Sequence, residues 1–156
     1  MSIYLWLKFF HMIGVVMMLG ATFCNGVVHF TAMKARSKVD RFNSLNNILT
    51  INKLIMFPGF ILIILPGTLL AYQAGFSSND YWLLASVVLT VVLVFEFIWG
   101  FKLEKKMETL TEQYVMAEYE DYNERYNRVL KQAMPIGSTA TVISLIVVYL
   151  MLGKPF

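Results

Sequence analysis

Residues 4–33 read YLWLKFFHMIGVVMMLGATFCNGVVHFTAM, and this mostly apolar stretch decides the fold. As a helix it would be about 45 Å long, because an α-helix rises about 1.5 Å per residue. The hydrocarbon core of a bilayer is about 30 Å thick, so such a helix crosses it with some tilt and with projecting ends. The stretch therefore predicts a first membrane-spanning helix.

Polar side chains follow one face of this predicted helix. Spacings of three and four residues place on that face His11, Val15, Met18, Thr22, Asn25 and His29. His11 and His29 lie about 27 Å apart along the helix axis, so each falls in a different leaflet. Because lipid does not solvate polar groups, this face should meet another helix or a bound molecule.

Two interpretations of this polar face are open. In the first, the small residues Gly14, Gly20, Ala21 and Gly26 admit a neighbouring helix, and the polar side chains hydrogen-bond across the interface. In the second, His11 or His29 binds haem iron or another metal ion. The spacing alone does not choose between packing and ligation.

Composition places the whole chain in the class of polytopic membrane proteins. It has 156 residues, of which 58% are hydrophobic and only 15% charged. Further apolar runs predict spans at 54–72, 81–101 and 136–152. We therefore expect an all-α fold, a four-transmembrane-helix bundle that forms a single domain over residues 1–156. No phosphate-binding loop, HExxH or GxSxG motif is present, which argues against a kinase or hydrolase.

The second and third predicted spans carry features of their own. Pro58 and Pro66 interrupt the second span and should bend it. Glu96 lies in the third span, where a carboxyl group needs a partner. Asn25 and His29 approach from the same side of the membrane, so we expect Glu96 and His29 to form a buried polar pair.

Polar segments separate the spans and predict the orientation. Lys102–Met134 combines a helical apolar pattern with mixed charges, which predicts amphipathic helices that extend the third and fourth spans into the cytoplasm. The segments between the first two and the last two spans hold most of the Lys and Arg residues, whereas 74–80 holds none. Basic loops stay in the cytoplasm, so both termini should face outward from a bacterial inner membrane.

Several short motifs resemble those of HemJ-type membrane proteins, and of an uncharacterised four-helix family related to HemJ and to the CopD copper-resistance proteins. The motifs are W-L-K-x-x-H at 6–11, A-R-S-K at 35–38, I-M-x-P at 55–58, R-Y-N-R-V-L at 125–130, and Y-L-M-x-x-K-P at 149–155. The resemblance covers the chain from its first span to its last.

HemJ-type proteins are thought to oxidise protoporphyrinogen and to bind haem b. The resemblance implies haem b in this chain, with His11 as its axial ligand and the metal-binding residue. Lys8, Met18, Asn25 and His29 are the other candidate cofactor-binding residues. No lysine follows Trp82 in the third span, unlike in the family, so the resemblance implies haem binding more directly than the oxidase activity.

The leading hypothesis is thus a membrane oxidoreductase that binds haem b. The alternative is a non-enzymatic structural or accessory membrane subunit without a cofactor, in which Asn25, His29 and Glu96 hold helices together. Copper handling is a third hypothesis, based on the ten methionines and the CopD relation. Expected partners are the lipid bilayer and, as a possibility, further copies or a larger membrane complex, but no nucleic acid.

Overall fold

The structure, a computed structural model, describes residues 2–76, 80–117 and 120–154. These residues form helices and the short turns between them. In chain order the helices are α1 (Ile3–Lys34), α2 (Lys38–Ile51), α3 (Phe57–Gln73), α4 (Tyr81–Met116) and α5 (Tyr122–Gly153). A π-helical turn at Asn52–Met56 joins α2 to α3 without a break.

Four helices in the described part of the chain are long and apolar enough to cross a membrane. They are Ile3–Lys34, Lys38–Gln73, Tyr81–Met116 and Tyr122–Gly153, where the second comprises α2, the π-helical turn and α3. Each contains one of the predicted spans. The prediction of an all-α, four-helix membrane bundle is therefore confirmed.

The helices also extend past the predicted spans. α4 continues to Met116 and α5 begins at Tyr122, so both amphipathic extensions are present as predicted. Glu118 and Tyr119, which belong to the same predicted segment, lie outside the described residues. The polar segment after α1 is likewise helical: the Ser37 hydroxyl accepts a hydrogen bond from the Asp40 amide at 3.0 Å and caps α2.

α1 and α3 pack against each other at backbone distance. A Cβ atom added to Gly14 would lie 2.8 Å from the carbonyl oxygen of Gly59, closer than real Cβ atoms come. The small size of Gly14 thus allows α1 and α3 to pack closely, as predicted. Gly20 and Gly26 do not, because an added Cβ would meet nothing within 4 Å at either.

The π-helical turn accommodates a proline. Within it, the Phe57 amide donates to the carbonyl of Asn52, five residues earlier, in place of an α-helical hydrogen bond. The next residue, Pro58, has no amide hydrogen to donate. Pro58 therefore lies at the junction between two helical segments, and Pro66 lies inside α3.

Two groups of buried apolar side chains hold the bundle together. The polar-end cluster, which joins α2 to the extensions of α4 and α5, consists of Leu45, Ile48, Leu103, Met107, Tyr122, Tyr126 and Val129. The mid-bundle cluster consists of Met18, Phe60 and Leu93, from α1, α3 and α4. α3 packs mainly on α1, and α4 mainly on α5. A cavity lies between these two helix pairs.

Candidate ligand-binding cavity

The cavity has a volume of about 490 Å³ and borders the mid-bundle cluster at one end. Its wall is largely apolar and includes the rings of Phe30, Phe60, Phe97 and Phe101. The polar groups on its wall come from α1, the π-helical turn, α4 and α5. Those with an ionisable or amide side chain are Asn25, His29, Asn52, Glu96 and Glu104.

A chain of hydrogen bonds connects four of these side chains. Nε2 of His29 lies 3.3 Å from Oε1 of Glu104. The Asn52 amide donates to the other carboxyl oxygen of Glu104. The Asn25 amide in turn donates to Oδ1 of Asn52, at 2.7 Å. One partly buried network therefore links α1, the π-helical turn and α4.

The carboxylate of Glu104, between His29 and Asn52, fixes the direction of the hydrogen bonds. An ionised Glu104 can only accept hydrogen bonds, so Asn52 must present its NH₂ group to Glu104 and its oxygen to Asn25. Asn25 must then present its own NH₂ group to Asn52. Its Oδ1 is left over, and this atom is buried and accepts no hydrogen bond from the described residues. The network therefore ends in an unpaired acceptor that belongs to a residue of the cavity wall.

The partner predicted for His29 was wrong. His29 pairs with Glu104, whereas Oε1 of Glu96 accepts a hydrogen bond from the Thr139 hydroxyl at 2.7 Å. The prediction ended the third span at Phe101, so it considered only the carboxyl group inside that limit. α4 continues to Met116, and the carboxyl group level with His29 is the one further along this helix.

The five candidate cofactor-binding residues do not form one site. Met18, Asn25 and His29 line the cavity, but His11 and Lys8 do not. Nδ1 of His11 lies 3.0 Å from the carbonyl oxygen of Ile63 on α3, and the ring packs on Gly67, where an added Cβ would lie 3.0 Å from it. Lys8, one turn away, is exposed. His11 thus contacts α3, away from the network of His29.

Asn52 and Glu104 were missed because each lies in a polar sequence context next to an apolar run. Asn52 follows Ile51 within a segment that reads as a polar loop, and Glu104 stands among lysines. One signal was available for Glu104. It lies eight residues after Glu96, close to two helical turns, so both carboxyl groups fall on similar faces of one helix.

The ionisable side chains near the cavity limit which kinds of ligand it can bind. In the part of the chain that the structure describes, no group of three or more His, Cys, Asp or Glu side chains is arranged to hold a metal ion. His29 and Glu104 are 23% and 13% exposed, so their pair is partly shielded from solvent. The cavity is therefore an apolar chamber with a few hydrogen-bonding groups on its wall.

The sequence model of the family DUF2269, described as predicted integral membrane proteins, matches residues 5–155. The chain belongs to this family. The match covers all of the described helices apart from the first residues of α1, so the cavity and its network lie within the family's region. No similar protein was found among curated proteins or among solved structures.

Proposed function

We propose that this integral membrane protein binds a small amphiphilic molecule in the cavity between the α1–α3 and α4–α5 pairs. The observation that supports the proposal is the cavity itself. Its volume of about 490 Å³ lies within the range of about 300–1,000 Å³ that is typical of small-molecule sites. A mostly apolar wall with a few convergent polar groups is also typical of such sites.

The bilayer is the natural source of such a molecule. Phe30, Met33 and Met134 line the cavity and are 55%, 42% and 51% exposed, so the cavity opens between helices. A molecule dissolved in the membrane can then enter sideways without crossing a polar barrier. Its apolar body would contact the phenylalanine rings, and its polar head the network of Asn25 and His29.

Filling the cavity tests this proposal. Gly100 lines it, and a Cβ added there meets only the Ile136 side chain, at 3.7 Å, so Gly100→Leu should occupy the space without displacing the backbone. Gly20→Leu is the matched control, because Gly20 lies outside the cavity wall and has nothing within 4 Å. Binding of naphthyl probes to protein in lipid nanodiscs is measured by equilibrium dialysis, with empty nanodiscs subtracted.

We expect the unmodified protein and Gly20→Leu to bind at least one of four probes: 1-naphthylmethylamine, trimethyl(1-naphthylmethyl)ammonium, 1-naphthylmethanol and 1-naphthylacetate. Gly100→Leu should reduce this binding by about tenfold or more, which corresponds to about 1.4 kcal/mol. Equal binding by all three proteins, or binding no greater than that of empty nanodiscs, would refute the proposal.

Haem b binding through His11, with a redox role resembling that of HemJ-type proteins, is a second candidate function. One contact favours it: the carbonyl of Ile63 holds Nδ1 of His11, which leaves Nε2 as the ligating nitrogen. Histidines that bind metals commonly donate their other ring N–H in this way. Met18, Asn25 and His29 lie elsewhere, so haem at His11 would form a site separate from the cavity.

An absorption spectrum of the purified protein, with a pyridine haemochrome assay, tests this candidate. Bound haem b should give a Soret band that disappears in His11→Ala and persists in His29→Ala. A colourless protein from a haem-sufficient host would reject haem binding and leave the cavity proposal unaffected.

We also propose that the polar end of the bundle faces the cytoplasm of a bacterial inner membrane. The basic residues after α1 and in the extensions of α4 and α5 support this orientation through the positive-inside rule. Labelling of an engineered cysteine at exposed Asn123 by an impermeant thiol reagent should then require permeabilised cells, with Cys24→Ser as the background.

A further inference from the structure

The ionisable groups on the cavity wall leave one carboxyl group without a charged partner. Among the described residues that line the cavity, the ionisable side chains are His29, Glu96 and Glu104, and there is no lysine or arginine. His29 and Asn52 already hydrogen-bond to Glu104. Glu96 has only the neutral hydroxyl of Thr139 as a donor. A carboxylate at this depth in a membrane is stable when a cation accompanies it.

Two buried acceptor atoms of residues that line the cavity also lack donors. They are Oε2 of Glu96 and Oδ1 of Asn25, neither of which accepts a hydrogen bond from the described residues. Asn25 is 8% exposed, and the hydrogen bonds that run from Glu104 through Asn52 fix its oxygen as an acceptor. Buried acceptors without a donor are unfavourable, so a molecule that brings N–H or O–H donors would bind here preferentially.

The aromatic wall favours an organic cation over an inorganic one. The rings of Phe60 and Phe97 lie 5.3 Å apart between their centroids, and that of Phe101 lies 6.3 Å from Phe97. The faces of such rings attract ammonium groups. A metal ion would instead need several oxygen, nitrogen or sulphur ligands, and the described residues offer no cluster of three ionisable ones.

We infer that the molecule bound in the cavity is a lipophilic ammonium, a protonated primary or secondary amine with an apolar body. The inference rests on the proposed function. The positive charge compensates Glu96, and the N–H groups donate to Oε2 of Glu96 and Oδ1 of Asn25. The apolar body contacts the phenylalanine rings.

The four naphthyl probes test this inference because they share one apolar body and differ in the head group. The amine carries both charge and donors, the trimethylammonium charge alone, the alcohol a donor alone, and the acetate a negative charge. Each is titrated against the unmodified protein, Glu96→Gln and Asn25→Leu. Glu112→Gln is the control, because Glu112 lies on the same helix, is exposed and does not line the cavity.

We expect 1-naphthylmethylamine to bind about tenfold or more tightly than each of the other three probes, as charge-assisted hydrogen bonds require. Glu96→Gln should remove most of this preference, Asn25→Leu part of it, and Glu112→Gln none.

Two results would overturn the inference while supporting the proposed function: cavity-dependent binding in which the alcohol or the acetate equals the amine, and an amine preference that persists in Glu96→Gln. Binding of the trimethylammonium as tightly as the amine would overturn the role of the N–H donors. If no probe binds above empty nanodiscs, both proposals fail.

Discussion

The polar-end cluster and the cavity share α4 and α5 but are packed in opposite ways. In the cluster, Leu45, Ile48 and Met107 are fully buried, and the neighbouring Tyr114 stacks its ring on that of Tyr122 with centroids 4.0 Å apart. A few turns away, α4 and α5 enclose about 490 Å³ of space together with α1 and the π-helical turn.

The difference follows from which helix lies opposite α4. α2 lies against the extension of α4 and supplies Leu45 and Ile48 to the cluster. Beyond the π-helical turn, the chain continues as α3, which packs on α1 instead. α4 and α5 then face a gap that none of the described helices fills. The cluster thus fixes α2 against α4 and α5 at one end, and the mid-bundle cluster brings the two helix pairs into contact elsewhere.

Replacing one methionine by alanine in each region should give the largest difference in the free energy of unfolding. Met107 is fully buried in the polar-end cluster, whereas Met134 lines the cavity and is 51% exposed. Met107→Ala should lower the free energy of unfolding by about 2–5 kcal/mol, because it leaves a void in a packed core. Met134→Ala should change it by less than about 1 kcal/mol.

Denaturant titration in detergent, followed by tryptophan fluorescence, measures both values. Equal destabilisation by the two substitutions would show that the cavity wall is as tightly packed as the cluster, and the comparison would fail.

Adding a methyl group between α1 and α3 should have the next largest effect on stability. Gly14→Ala places a Cβ 2.8 Å from backbone atoms of Gly59 and Ile63, so α3 must move away from α1. We expect a loss of about 1–3 kcal/mol, typical of overpacking. Gly20→Ala has open space and should be neutral or stabilising, since alanine favours a helix over glycine by about 1 kcal/mol. Thermal unfolding in detergent compares the two, and a stable Gly14→Ala protein would contradict the close contact.

Removing an exposed ion pair at the polar end should have the smallest effect. Arg128 donates to Glu124 at 2.8 Å, one helical turn apart on α5, and both side chains are more than 70% exposed. Arg128→Ala should cost about 0.5 kcal/mol or less, and the loss should vanish at high salt because water and ions screen such pairs. A larger loss in unfolding titrations would mean that ion pairs, rather than the apolar cluster, hold this end together.

The sequence predicted the helices better than it predicted their ends. Long apolar runs identify spanning helices because every backbone polar group inside a bilayer must be paired within the chain. The polar stretch KVDRFNSLNNILTI has no comparable signal, although its Ser37 cap and its buried Leu45 and Ile48 make it α2. Its helical state depends on packing against α4, which is a contact between distant parts of the chain.

About half of the candidate site was predictable. The polar face of α1 predicted that Asn25 and His29 contact another part of the protein or a ligand, and both contact another helical segment. This prediction needed only the periodicity of one helix. The identity of the partner depends on how far α4 extends and on the register between helices. The length of α4 and the register between helices place Glu104 beside His29 and Glu96 beside Thr139. The residue pattern within one helix does not determine either of them. Haem binding at His11 stays a prediction.

The π-helical turn changes the direction in which side chains point along the continuous helix Lys38–Gln73. Such a turn contains one residue more than an α-helical turn, which rotates every later side chain by about 100° about the axis. Leu45 and Ile48, before the turn, face α4, whereas Gly59, after it, faces α1. One rod thus presents two unrelated faces. Deleting a single residue within the turn would convert it to an α-helical turn and keep both faces in place, whereas the same deletion within α2 would rotate the residues before it by about 100° relative to α3.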